Sequence, residues 1–280
     1  MIFTGFYALA KALLVIKFFN KTNYGTETKD AWPALTPDSD RENNGKIINL
    51  SSTLQAYYVS PKNLDSNKAV FVHHDSNGWT GGRIRSISDQ IAEKGYHVFL
   101  VNFFDNDNGV AAYGGFESGS FEAFQWFRQW TPEVILADIL TAMTYIDENF
   151  DHIDSIGTIG FCFGGWVGLH HASLKFPKLK ATASCHPSYQ VEDNFGGLEY
   201  LVSQVETPML ICPAGMDSDD FKKGGMIEKN FIGRGIPIEI TEFPNQRHGW
   251  VPRGDTSDPN VEEGVKKAVN LYMDFFERYL

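Results

Sequence analysis

The residues best suited to chemistry are a cysteine, an aspartate and a histidine, in that order along the chain. Gly160-Phe161-Cys162-Phe163-Gly164-Gly165 follows an apolar run and precedes a stretch with helical spacing. This is the G-x-S-x-G pattern with cysteine in the serine position. The turn it encodes is too tight for side chains at its flanks and lifts the central side chain above a sheet. The helix that starts there directs its dipole and its free N–H groups at the sulfur, which favours a thiolate and a developing oxyanion. A thiol nucleophile needs a base and a group that orients the base. Asp217, in Ala214-Gly215-Met216-Asp217, follows the apolar run Met209 to Pro213, and His248, in Gln246-Arg247-His248-Gly249-Trp250, follows Ile236 to Phe243. Both come after the carboxyl ends of predicted strands, where the active sites of parallel sheets form. His248 is the expected base and Asp217 the group that fixes its tautomer. Asp219 and Asp220 compete for the acid's role but read as the N-cap region of the next helix, so Asp217 is preferred.

These positions require strands and helices in alternation, and the chain supplies them. Leu54 to Val59 reads as a strand. Ala69 to His73 reads as another, apolar throughout as expected of a strand buried on both faces. Ile84, Ile87 and Ile91 give helical spacing to Arg83 to Lys94, which stops at Gly95. Tyr96 to Phe104 is a further buried strand. Thr131-Pro132-Glu133 supplies an N-cap, a first-turn proline and an early carboxylate to a helix with Ile135, Ile139, Met143 and Ile146 on one face. Strand Ser155 to Phe161, a helix from Gly165, strands Ala181 to Cys185 and Met209 to Pro213, a helix near Phe221 to Phe231, strand Ile236 to Phe243 and a last helix from Val261 to Tyr279 complete the series. The expected class is α/β, a mostly parallel twisted sheet with helices on both faces. The nucleophile turn and the order nucleophile, acid, base make it an α/β-hydrolase fold. The loop Asp105 to Trp130 is long and rich in aromatic residues (Phe116, Phe121, Phe124, Trp126, Phe127, Trp130). It is either a lid over an apolar pocket or a cap on the core.

Composition narrows the partners. The chain has 280 residues, 42% of them hydrophobic, enough to bury one large core. A net charge of -11 repels phosphate backbones and argues against nucleic acid. Cys162, Cys185 and Cys212 are too few and too widely spaced for a disulfide framework or a zinc ribbon. Cys185 and Cys212 read as buried core thiols, which fits a reducing compartment and a cytoplasmic location. Residues 1–20 are apolar, but Lys11 and Lys17 interrupt the run, so a spanning helix is not supported. A helix packed on protein, a membrane-surface anchor and a targeting signal all stay open for this segment. A membrane-associated or mitochondrial location is therefore the alternative. Residues 21–46 are polar and carry Pro33 and Pro37. The expected division is a helix and wrapping arm over 1–44 and a hydrolase domain over 45–280.

From about Gly45 onward, the stretch GFCFGG, the loop of Asp217 and the segment HGWVPRGD resemble the dienelactone hydrolase family, closest to its eukaryotic branch. Gly95-Tyr96 and His186-Pro187-Ser188 also match family segments. The family's loop of the form Asp/Glu-Ile-Phe-Gly corresponds to Asp75-Ser76-Asn77-Gly78. The resemblance implies that Asp75 contacts the resting thiol and helps to deprotonate it, and that the backbone N–H groups of Phe163 and Ser76 form the oxyanion hole. It implies that Arg253 receives a substrate carboxylate, for which a planar charged fork is suited; the family's second arginine has no counterpart in register, and Arg128, in the same long loop, is the candidate. His186 and Trp250 are expected to line the pocket. Asp75 is shorter than glutamate, and Ser76-Asn77 replaces bulky apolar residues, so the substrate is not carried over with the chemistry.

The pairs His73-His74 and His170-His171 invite a metal. Adjacent histidines point to opposite faces of a strand or diverge by about 100° on a helix, so neither pair shares one ion readily, and no metal or cofactor is expected. Two functions follow. The first is hydrolysis of a small ester, lactone or enol-lactone through a cysteine acyl-enzyme. The second is a catalytically weak or inactive subunit serving a structural or interaction role in a larger assembly, motivated by the N-terminal extension and the altered Asp75 loop.

Overall fold

A computed structural model describes residues 43–104 and 126–280. The expected helix over residues 1–20, and the loop aromatics Phe116, Phe121 and Phe124, lie outside the described residues. Eight strands form one sheet: β1 (Lys46–Asn49), β2 (Gln55–Val59), β3 (Lys68–His73), β4 (His97–Val101), β5 (Ser155–Phe161), β6 (Leu179–Cys185), β7 (Met209–Cys212) and β8 (Ile238–Ile240). Their order across the sheet is β1-β2-β4-β3-β5-β6-β7-β8. The pairs β1/β2 and β2/β4 are antiparallel, and every later pair is parallel. The central strands β4 and β5 are buried at every position, as their unbroken apolar runs predict.

Seven helices accompany the sheet among the described residues: α1 (Ile84–Glu93), α2 (Pro132–Asn149), α3 (Phe163–Ser173), α4 (Leu198–Gln204), α5 (Met226–Arg234), α6 (Trp250–Arg253) and α7 (Pro259–Tyr279). The pleat divides each strand between two cores. On one face Val70, Val98, Ile159 and Leu210 pack with Ile84, Ile87 and Ile91 of α1 and with Tyr272, Phe275 and Phe276 of α7. On the other, Phe71, Phe99, Ile156 and Ile211 pack with Ile135 and Ile139 of α2, Trp166 and Leu169 of α3, Leu201 of α4 and Phe231 of α5. No helix among the described residues is long and apolar enough to cross a membrane.

Several boundaries depart from the sequence reading. α3 begins at Phe163, not Gly165, because Cys162 itself occupies the N-cap position. The helix expected near Phe221 to Phe231 breaks into a 3₁₀ turn, Asp219–Phe221, and α5. Gly224, at φ 77°, interrupts it. β4 ends at Val101, and Phe104 instead packs against Trp126, Trp130 and Phe163. Trp126 and Trp130 are buried there and cap the core beside α3. β1, α4 and α6 were not legible. β1 is a mostly exposed edge strand without an apolar period. The described chain is already tied to the domain at its start: Asn44 N–H donates to Asp89 Oδ2, and Gly45 N–H donates to Tyr57 Oη.

Candidate active site

The carboxyl ends of β3, β5, β6, β7 and β8 lead into the loops that hold the candidate residues. The elbow is sterically specified. A Cβ on Gly160 would lie 2.1 Å from Gly164 O, and one on Gly164 would lie 2.0 Å from His73 O. Only glycine allows α3 to start this close to β5 and β3. Cys162 itself takes φ 53° and ψ -118°, a conformation costing about 1–3 kcal/mol that the surrounding structure must support. Its N–H donates to Cys185 O at 3.3 Å, and its carbonyl accepts from Gly165 and Ser188 N–H, each at 2.9 Å. The side chain is buried, with Sγ 3.3 Å from Ser188 Oγ.

Asp217 and His248 meet because their loops are joined. Ala214 bridges Phe243 beyond the ends of β7 and β8, and Gly215 N–H donates to Gln246 O at 3.1 Å. Asp217 Oδ2 accepts from Ala214 N–H at 2.7 Å, which leaves Oδ1 to accept from His248 Nδ1–H at 2.8 Å. The proton on Nδ1 leaves Nε2 as the acceptor of the neutral ring. Nε2 is buried and makes no well-aligned hydrogen bond, although the Cys162 side chain is near enough to act on the ring. Burial works against a charged His248, but the nearby Cys162 and then Asp217 outweigh it and raise its pKa well above the ordinary value. Asp219 and Asp220, the competing acids, are exposed. This arrangement has the parts for passing a proton from a thiol to an imidazole whose other nitrogen is fixed by a carboxylate.

The second carboxylate, Asp75, has partners of its own. Asp75 Oδ1 accepts from Asn77 N–H at 2.8 Å, and Oδ2 lies 2.9 Å from Arg253 Nε, both side chains being buried. The structure thus brings Asp75 to Arg253, and its Oδ2 has no hydrogen-bond partner. Arg253, expected to await a substrate carboxylate, already faces one. The contact is one of charge, since neither atom satisfies hydrogen-bond alignment. The turn carrying Arg253 is latched by Arg83, whose guanidinium donates to Val251 O at 2.8 Å and to Gly254 O. Asp75 and Ser76 follow His74, whose ring spans two loops: Nδ1–H donates to Asp75 O at 2.7 Å, and Nε2 accepts from Phe103 N–H at 3.2 Å. Burial pushes its pKa down to about 4.

His186 takes φ 40° and is fully buried, with neither ring nitrogen hydrogen-bonded. Its ring lies 5.0 Å from those of His248 and Trp250. Burial, and after it the charges of His248 and Arg253, keep its pKa well below the ordinary value. Trp250 is buried, with Nε1 unpartnered. Phe163 N–H opens α3, where no intrahelical acceptor exists. Arg128 is exposed on the turn before α2. Two buried polar residues packed on α3 have no role predicted from the sequence. Ser188 belongs to a segment singled out there without a role. Glu192, from the 3₁₀ segment Tyr189–Asn194, accepts from Trp166 Nε1 at 2.8 Å and lies 2.7 Å from His170 Nε2. Nothing in its local sequence marks a buried acid.

Among the described residues no cluster of three or more His, Cys, Asp or Glu side chains is arranged to hold a metal. His73 Nε2 and His171 Nδ1, one from each adjacent pair, lie 3.4 Å apart. A cavity of about 820 Å³ is lined by Glu199, Asp219, Lys222 and Lys229 among others, and its lining includes neither Cys162 nor His248.

An eight-stranded, mostly parallel sheet with a strained, glycine-flanked turn at Cys162 between β5 and α3 defines an α/β-hydrolase-type protein. Within that class the chain belongs to the dienelactone hydrolase family, whose sequence model matches residues 54–280. It is 27% identical over 228 residues to a carboxymethylenebutenolidase homolog of Xenopus tropicalis, covering 80% of this chain and 87% of that protein. The homolog of Rattus norvegicus is 29% identical over 227 residues, with the same coverage. The crystal structure of a dienelactone hydrolase from Anabaena variabilis superposes with a TM-score of 0.60 at 15% identity, covering 85% of this chain and 98% of that one.

Proposed function

We propose that this member of a hydrolase family cleaves a small ester, lactone or enol-lactone through a thioester on Cys162. The observation that carries the reading is the buried Asp217–His248 pair at 2.8 Å, in which the nearby cysteine is the largest influence favouring the charged imidazole. His248 Nε2 takes the thiol proton. The thiolate attacks the substrate carbonyl carbon, forming a C–S bond and a tetrahedral oxyanion that the N–H groups of Phe163 and Ser76 receive. Collapse breaks the C–O bond, and the leaving alkoxide or enolate takes the proton from His248. Water, with His248 as base, then hydrolyses the thioester and restores the thiol. No step needs a metal or cofactor. The relatives' name, carboxymethylenebutenolidase, points to an unsaturated lactone as the first substrate to try.

The test is a panel of p-nitrophenyl esters and unsaturated lactones offered to the wild type and to Cys162→Ala. Turnover of at least one member, abolished by the substitution, is the expected result. Equal, measurable rates for the two proteins would overturn the role of Cys162, and no turnover by either would favour the inactive, structural alternative.

A further inference from the structure

The sulfur of Cys162 has a partner that a cysteine–histidine–aspartate relay does not require. Ser188 Oγ lies 3.3 Å from Sγ, and Ser188 N–H donates to the carbonyl of the same cysteine at 2.9 Å. Both contacts are buried. The position of Ser188 is held from each side. Before it, His186 N–H donates to Cys212 O at 2.8 Å, and Pro187 sits so close to α3 that a Cβ on Gly165 would lie 2.7 Å from Pro187 Cβ. After it, Val191 N–H donates to Ser188 O at 3.2 Å, and Tyr189 Oη lies 2.7 Å from Ser184 Oγ. One turn further, the Glu192 carboxylate binds Trp166 and His170 of α3 itself. The segment is thereby fastened to the elbow helix at both ends, with its hydroxyl at the nucleophile.

A hydroxyl can accept from a thiol and donate to a thiolate. We propose that Ser188 is a further catalytic residue, whose hydroxyl donates a hydrogen bond to the Cys162 thiolate and holds the sulfur poised for attack. No bond to Ser188 forms or breaks. The hydroxyl turns its proton toward sulfur when His248 takes the thiol proton, and the contact weakens once the sulfur is acylated and neutral. The proposal rests on Cys162 being the nucleophile.

The experiment follows alkylation by iodoacetamide and ester turnover across pH in the full chain. It compares the wild type, Ser188→Ala, Ser188→Thr and, as a control, Cys162→Ala. A hydrogen bond to a charged group is worth about one pH unit, or roughly tenfold. Ser188→Ala should therefore raise the pH midpoint of Cys162 alkylation by about one unit. Its turnover should fall roughly tenfold on the acid side of the profile, KM should change little, and the rates should converge at high pH. Ser188→Thr should restore the wild-type midpoint. A purely structural role would lower the rate equally at all pH values without moving the midpoint, and that result overturns the proposal. Should the alanine variant not fold, Ser188→Thr and Ser188→Val, matched in shape, carry the same comparison, and coincident midpoints for the two overturn it. Retention of turnover by Cys162→Ala sinks the cysteine mechanism itself. Loss of turnover there, with an unshifted Ser188→Ala profile, removes Ser188 alone.

Discussion

Two groups of buried histidines lie close to the elbow helix and favour opposite charge states. His248, at the carboxyl edge of the sheet, has its pKa raised by Cys162 and Asp217 against the effect of burial. His73 and His171, between β3 and α3, have theirs lowered, His171 to about 3, chiefly by burial. Their ring nitrogens face each other and no carboxylate. Burial is common to both groups, so it does not decide the charge. A carboxylate at hydrogen-bond distance and a nearby cysteine that can ionise do. The fold thus uses one residue type as a neutral filler of its core and, beside Cys162, as a ring whose neighbours favour taking up a proton.

The largest effect expected from breaking this contrast is on the charged side. His248→Ala should lower kcat by up to about 10⁶-fold, the scale seen when the base of a hydrolase triad is removed. The circular dichroism spectrum should stay that of the wild type. Asp217→Asn should lower kcat less completely if it retains the ring's orientation, and a loss equal to that of His248→Ala would mean that charge is the greater part of its role.

The next effect concerns the other buried carboxylate. Asp75→Asn leaves the Arg253 guanidinium buried and unpaired, which should cost about 3–5 kcal/mol of unfolding free energy. Urea denaturation measures it, and the double variant Asp75→Asn/Arg253→Met should recover most of the loss. Because the Asp75 carboxylate is paired with Arg253, removing its charge should relieve little repulsion at the sulfur, and iodoacetamide alkylation of the folded single variant should stay within about twofold of wild type. Marked acceleration would instead support the thiol contact implied by the family resemblance.

The neutral histidines predict the pH dependence of stability. Their folded pKa values lie below the unfolded value near 6.5, to about 4 for His74 and about 3 for His171. Below about pH 6.5 the unfolded chain binds protons that the folded chain refuses. Stability should therefore fall as pH drops from about 6.5 toward 4, by up to about 1.4 kcal/mol per pH unit for each such histidine. The His248 contribution has the opposite sign: it is present at low pH and lost as pH rises through its raised folded pKa. Denaturation midpoints at pH 7.5, 6 and 5 should show the acid loss, and His171→Leu should make its slope shallower by up to one proton. An unchanged slope would mean that His171 is protonated in the folded protein.

The elbow and the order Cys162, Asp217, His248 were legible because the signals are local: glycines at fixed offsets, and polar residues directly after apolar strands. The core strands were legible for the same reason, and β5 runs over the predicted residues. The partners of Asp75 were not. Its pairing with Arg253 depends on where α6 docks, which a latch from Arg83 fixes and no periodicity announces. Ser188 and Glu192 escaped for a related reason. Their roles come from a short 3₁₀ segment folding back on α3, and from a left-handed turn at His186, where a non-glycine residue gives no warning in the sequence.

The central claim is that Cys162 carries the acyl group. Mass spectrometry of the intact protein, quenched in acid during turnover of a p-nitrophenyl ester or an unsaturated lactone, tests it most directly. An added mass equal to the acyl group is expected, mapped to the peptide containing Cys162, removed by hydroxylamine and absent from Cys162→Ala. His248→Ala should also lack it at short times. Steady turnover with an acyl group on another residue, or undiminished turnover in Cys162→Ala, would contradict it.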